Sequence, residues 1–155
     1  MSTLTKKRLD GSSVGGTEDR SPAVSDPGLI DRRSRILVAD DYPDSADSLA
    51  AVLSAEGFDV QVATDGQAAL ERALIWRPHV CIFNLTMPKM DGLDVARWMQ
   101  HKDLLDRPLL IALTGWTRPD DHQRTWEAGF DHHFAKPADP ALVIAVIRAA
   151  MSRPG

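Results

Sequence analysis

The chain has 155 residues, 43% of them hydrophobic, and a formal net charge of −4. That length and apolar content suit a single domain with one real core, and the mild acidity argues against a nucleic-acid surface. The single cysteine excludes an internal disulfide, and no apolar stretch approaches the roughly 20 residues needed to span a bilayer. Lys6-Lys7-Arg8 is followed by no apolar segment of the kind that marks a secretion signal. A reduced, cytoplasmic compartment without membrane contact is the expectation.

Residues 1–33 have no usable hydrophobic period and little to bury, so they read as a flexible tail before a folded domain over 34–155. From Ser34 strands and helices alternate. Ile36-Leu37-Val38-Ala39 runs into Asp40-Asp41 as a first strand. Ser45 to Glu56 sets Leu49, Val52 and Leu53 on one helical face, and Gly57 stops that helix. Phe58 to Val62 alternates as a second strand. Asp65 caps a helix carrying Ala69, Leu70, Ala73 and Trp76, with Pro78 beyond its end. Val80-Cys81-Ile82-Phe83 runs into Asn84, with Cys81 a buried apolar thiol. Gly92 to about His101 is a helix with Val95, Ala96 and Met99 inward. Leu109-Leu110-Ile111-Ala112-Leu113 runs into Thr114. A polar helix from about Arg118 to Ala128 is closed by Gly129. His133-Phe134-Ala135 runs into Lys136-Pro137, and Asp139 caps a last helix with Pro140 at its first position.

Continuous apolar runs separated by amphipathic segments read as strands of a parallel sheet buried on both faces. Five such β-α units predict a doubly wound, five-stranded parallel α/β sandwich with right-handed crossovers. In such sheets the ligand crevice lies outside the carboxyl ends of the strands. Asp40, Asp41, Asn84, Thr114 and Lys136 are therefore expected at one mouth. Adjacent carboxylates repel, and a hard divalent cation such as Mg²⁺ relieves that repulsion. Thr114 can donate to a phosphoryl oxygen. Lys136 offers a point charge to a phosphate or, without one, pairs with the acids. The segment Asp40 to Asp44 has no glycine and is acidic, which excludes a phosphate-cradling loop there. Each residue alone has an ordinary reading as a cap, a strand-end hydroxyl or a surface charge; the order of all of them at strand ends carries the argument.

Four stretches bear a family resemblance: Asp40-Asp41, Asn84-Leu85-Thr86-Met87-Pro88-Lys89-Met90-Asp91-Gly92, Ala112-Leu113-Thr114-Gly115, and Asp131-His132-His133-Phe134-Ala135-Lys136-Pro137. Together, over about residues 34 to 151, they resemble the receiver domain of bacterial response regulators, a flavodoxin-like fold. The last two stretches are particularly similar to receivers attached to hybrid histidine kinases. The resemblance implies a phosphorelay signalling module rather than an enzyme. It assigns metal binding to Asp40, Asp41, Asn84 and the Thr86 carbonyl, the phosphoacceptor position to Asn84, and the switch and phosphate-binding roles to Thr114 and Lys136. His133 matches the aromatic switch position.

An ionised carboxylate can attack phosphorus, whereas a carboxamide is neutral and its nitrogen lone pair is delocalised. Asn84 is thus expected to take no phosphoryl group, to offer Mg²⁺ only an uncharged oxygen, and to bind it weakly. A unit charge at about 4 Å contributes roughly 1 to 4 kcal/mol in partly wet surroundings. Its loss also relieves repulsion among the acids. A natural phosphorylation-independent variant and an engineered substitution both fit. Expected partners are a histidine kinase or phosphotransfer protein and a downstream protein target, with no nucleic acid, since no output domain follows the last helix before Gly155. Leu142 to Ile147 are six consecutive apolar residues, more than one helix face needs, so that helix is a candidate homodimer surface. The alternative is a flavodoxin-like metal- or ligand-binding domain or small enzyme using the acidic crevice. The lack of a Gly/Ser/Thr-rich loop after the first strand argues against flavin or nucleotide there. Asp131-His132-His133 lie on a strand, where alternate side chains face opposite sides, so they are not read as a metal motif. His79, His101 and His122 are scattered and read as solvent-facing; Trp98 and Trp126 are either core-edge residues or a partner patch.

Overall fold

The apolar runs do become strands, and their alternate side chains divide between two interiors. The structure is a computed structural model that describes residues 33–100, 107–115 and 120–152. The tail expected over 1–33 lies outside the described residues apart from Arg33, as do His101 and the helix start expected at Arg118. The elements run β1 (Arg35–Ala39), α1 (Pro43–Ala55), β2 (Asp59–Ala63), α2 (Gly66–Trp76), β3 (Val80–Asn84), α3 (Gly92–Gln100), β4 (Leu109–Thr114), α4 (Asp121–Ala128), β5 (His132–Ala135) and α5 (Pro140–Met151). The strands form one parallel sheet in the order β2-β1-β3-β4-β5. The chain reverses direction across the sheet between β1 and β3, which opens a crevice at their carboxyl ends.

Leu37, Ala39, Cys81, Phe83, Leu110 and Ala112 point to one side and pack with Ala69, Ala73, Val95, Ala96, Met99 and Ala128 of α2, α3 and α4. Ile36, Val38, Val80, Ile82, Ile111 and Leu113 point to the other and pack with Ala46, Leu53, Val143 and Ile147 of α1 and α5. The central strand β3 is buried over its whole length, as its unbroken apolar run requires.

Capping follows the residue types. The Asp65 side chain accepts from the Ala68 N–H at 2.8 Å, and that bond holds its carboxyl below the usual range. Asp139 accepts from the Ala141 N–H at 2.9 Å, with Pro140 at the first helical position. Gly129 ends α4 with φ of 106°, a conformation that L side chains rarely adopt.

Two helical faces differ from expectation. Helix α1 begins at Pro43; its inward stripe is Ala46, Leu49 and Leu53, spaced three and four apart, and Val52 falls on the rim, 38% exposed. In α5 the inward pair is Val143 and Ile147, one turn apart; Ile144 and Val146 are partly buried against the same cluster, and Leu142 is left exposed. The apolar excess of α5 is thus smaller than its sequence suggests. Cys81 is fully buried, and burial pushes its thiol well above the usual range.

Candidate functional site

The crevice is built by four strand ends. Asp40 follows β1 and its N–H is tied to the Ala63 carbonyl of β2 at 3.1 Å, which fixes the first acid beside the sheet. Asn84 is the last residue of β3, Thr114 the last of β4, and Lys136 follows β5. The Lys136 N–H donates to the Thr114 carbonyl at 2.7 Å, and the Leu85 N–H to the Leu113 carbonyl at 3.0 Å, so adjacent strand ends are held in register. Asp40, Asn84 and Thr114 are buried, while Asp41 is exposed at the lip.

Two donors serve this acid pair from opposite sides. The Lys136 Nζ lies 2.8 Å from Asp40 Oδ2. The Asn84 Nδ2 donates to Asp41 Oδ1 at 3.2 Å, to Asp40 Oδ1 at 3.4 Å and to the Thr86 carbonyl at 2.8 Å. Asp40 Oδ1 also accepts from the Tyr42 N–H at 3.0 Å. Lys136 pairs with an acid. The carboxamide is turned the other way from expectation: its nitrogen, not its oxygen, faces the acids. Three acceptors surround that atom, and only the N–H end of an amide can satisfy them.

The acids and the Thr86 carbonyl are hard oxygen donors of the kind Mg²⁺ takes. With N–H donors aimed into their midst, the residues as arranged do not fit a cation without reorienting Asn84. Among the described residues no three His, Cys, Asp or Glu side chains gather around a possible metal position. This holds for Asp131, His132 and His133 too: Asp131 accepts from the Leu110 N–H at 2.9 Å and His132 is exposed.

His133 does not join the crevice group. Its Nδ1 is 3.1 Å from Thr125 Oγ1, and its ring stacks on His122 of α4 at 4.3 Å between centroids. Its Nε2 is buried without a partner. Burial, followed by the neighbouring His122, holds its pKa below the usual value, with Asp121 opposing. His122, read as an isolated surface residue, is exposed but belongs to this stack. Trp126 on the same helix is 72% exposed and Trp98 is half-buried.

The segment from Thr86 to Gly92 supplies positions that residue types alone did not reveal. Lys89 adopts φ of 72°, and the Gly92 N–H returns to the Leu85 carbonyl at 2.9 Å. A Cβ on Gly92 would stand 2.6 Å from the Asn84 carbonyl, and one on Gly66 would overlap the Met90 carbonyl. Glycine at both sites lets this loop lie against β3 and α2. The only sequence signal was the Asp91-Gly92 pair itself; Asp91 caps α3 by accepting from the Asp94 N–H at 2.8 Å.

Known proteins share this sequence pattern and fold. The response regulator receiver domain profile matches residues 36–148. The DNA-binding response regulator MtrA of Mycolicibacterium smegmatis is 36% identical over 78% of this chain and 52% of its own length. An uncharacterised 14.6 kDa protein of Leptolyngbya boryana is 33% identical over 73% of this chain and 86% of its own. The chain thus spans about half the length of the MtrA relatives it matches. Among solved structures, the receiver domain of a signal transduction histidine kinase from Syntrophus aciditrophicus superposes with a TM-score of 0.70 at 26% identity, covering 79% of this chain and 95% of that one. Vibrio cholerae CheY4 superposes at 0.71 with 24% identity, covering 76% and 98%, a likeness of fold. Receiver domains are signalling modules of two-component systems; they interact with histidine kinases and typically take Mg²⁺ at their phosphorylation site. No helix among the described residues is long and apolar enough to cross a membrane. By sequence profile, sheet order and flavodoxin-like architecture, this chain belongs to the response regulator receiver domain family.

Proposed function

We propose that this chain is a receiver whose phosphoacceptor position is occupied by Asn84, and that it acts by protein contact without taking up a phosphoryl group. The observation that carries the proposal is the place of Asn84: the carboxyl end of the central strand, hydrogen-bonded to Asp40 and Asp41 and on the same crevice as Lys136. A carboxamide there cannot form an acyl phosphate, because it has no ionised oxygen to attack phosphorus. Asp40, Asp41, Asn84 and the Thr86 carbonyl stand at the family's metal-ligand positions, and the lack of a third charge weakens any Mg²⁺ binding there. Thr114 and Lys136 take the switch and phosphate-binding roles, and His133 the aromatic switch position. The receiver comprises residues 34–155, with 1–33 as a tail, and works in the cytoplasm without enzymatic activity of its own.

The partners are a histidine kinase or phosphotransfer protein and a downstream protein target. DNA binding belongs to the named MtrA relatives, which are about twice as long as the matched region; this chain's own contacts are with protein. The exposed Leu142 makes α5 the candidate homodimer surface, and sedimentation of wild type against Leu142→Lys tests it. For the site, the chain is incubated with Mg²⁺ and acetyl phosphate and its intact mass is measured. Wild type should stay unlabelled, and Asn84→Asp should gain one phosphoryl group. A stable adduct on wild type that maps to the crevice overturns the proposal.

A further inference from the structure

Two carboxylates and a main-chain carbonyl converge on one point of the crevice, and that point is filled by the Asn84 amide nitrogen. The three separations, 3.4, 3.2 and 2.8 Å, are hydrogen-bond distances to Asp40, Asp41 and Thr86. The N–H bonds of an amide carry partial positive charge, and hydrogen bonds from them to ionised acceptors are stronger than those between neutral groups. On its far side, Asp40 is neutralised by Lys136 at 2.8 Å. The acid pair therefore already has one cation on Asp40 and amide N–H donors at the point a metal would occupy, with a net charge of −1 left on the group.

We infer that the Asn84 carboxamide is a resident stand-in for the divalent cation, so that it excludes Mg²⁺ by occupying its place and not merely by withholding a charge. This deepens the receiver reading and rests on it for the identity of the site. The consequence is regulatory: the crevice is insensitive to Mg²⁺ concentration and keeps one hydrogen-bonded arrangement whether or not the metal is present.

The two explanations of weak metal binding make opposite predictions for Asn84→Ala. If the missing charge alone matters, alanine lacks it equally and also lacks the amide oxygen, so Mg²⁺ affinity stays as poor as in wild type or falls. If the amide blocks the site, removing it exposes the acids and the Thr86 carbonyl, and Mg²⁺ affinity rises by about tenfold or more. Asn84→Leu fills the same space without donors; it should be destabilised and remain indifferent to Mg²⁺.

The test is thermal unfolding of the 155-residue wild type, Asn84→Ala, Asn84→Leu and Asn84→Asp across a MgCl2 titration, with NaCl-matched ionic strength. The wild-type melting temperature should not move with Mg²⁺, while Asn84→Ala should melt lower without the metal and recover as it is added. Asn84→Ser serves the same purpose should the alanine variant prove too unstable to measure. Mg²⁺ stabilising wild type as much as the alanine variant overturns the inference, and so does an alanine or serine variant with no gain in affinity. Phosphoryl uptake by Asn84→Asp is read separately. Uptake there without a gain in the alanine variant leaves the receiver reading standing and removes the stand-in. A gain in the alanine variant without uptake by Asn84→Asp leaves the stand-in standing and removes the phosphoacceptor assignment of position 84.

Discussion

Replacing Lys136 by methionine should be the most damaging single change to the crevice. The ammonium lies 2.8 Å from Asp40 Oδ2, with the aspartate side chain 5% exposed and the lysine 25% exposed. At that distance the attraction is about 6 kcal/mol for an effective dielectric of about 20, before the cost of desolvating both ions is set against it. Removing one partner of a well-buried pair costs about 3 to 5 kcal/mol, because the other charge is left uncompensated. Here Asp40 keeps the Tyr42 N–H and the Asn84 amide, and water can follow the departed lysine into a partly open site. The expected loss is therefore nearer 2 kcal/mol, or roughly 6 to 10 °C in melting temperature for a domain of this size. Urea unfolding should show a lower midpoint with an unchanged slope. A double-mutant cycle with Asp40→Asn should return a coupling of about 1 to 2 kcal/mol. A Lys136→Met protein within about 0.5 kcal/mol of wild type, or a cycle with no coupling, would show that solvent screens the contact and that the crevice does not depend on it.

Gly66→Ala should lower stability by about 3 kcal/mol in urea, because its Cβ overlaps the Met90 carbonyl. Gly57→Ala, which meets open space but holds φ of 97°, should cost only about 1 to 2 kcal/mol; equal losses would refute the packing argument. Burial holds the His133 pKa below its ordinary value of 6.5. The unfolded chain then binds the proton more readily, so stability present above that value is lost as pH falls through it toward the folded value. Urea midpoints between pH 7 and pH 5 should decline less in His133→Phe than in wild type. His122 stacks on that ring and Asp121, itself paired with Arg124, acts on it electrostatically, so His122→Phe is the companion control. Cys81 should resist alkylation at pH 8 in the folded protein and react on unfolding; rapid labelling without denaturant would contradict its burial.

Most of the architecture was readable because it rests on local chemistry. The unbroken run Val80 to Phe83 demanded a strand covered on both faces, and Asp65 and Asp139 announced helix starts. Convergence of Asp40, Asp41, Asn84 and Lys136 followed from strand order alone. What could not be read depends on partners distant in the chain. The turn of the Asn84 amide is decided by acceptors on two segments, neither of which fixes it alone. The stack of His133 on His122 joins a strand to a preceding helix. The choice of Ala46 over Val52 as an inward residue of α1 was set by where the sheet lies against the helix, with Ala46 and Leu53 packed on Ile36 and Val38. Gly66 looked like an ordinary helix-start residue, and its need for a bare Cα is visible only beside Met90.

An amide and a carboxylate at residue 84 differ in the genetic code by one base, A or G at the first codon position. The acids, the threonine and the lysine that an aspartate would need all stand within the same fold. A point transition would therefore trade a self-contained polar knot for an unbalanced, ion-hungry one. On the proposed assignment of residue 84, lineages carrying this module sit one mutational step from a chemically responsive state.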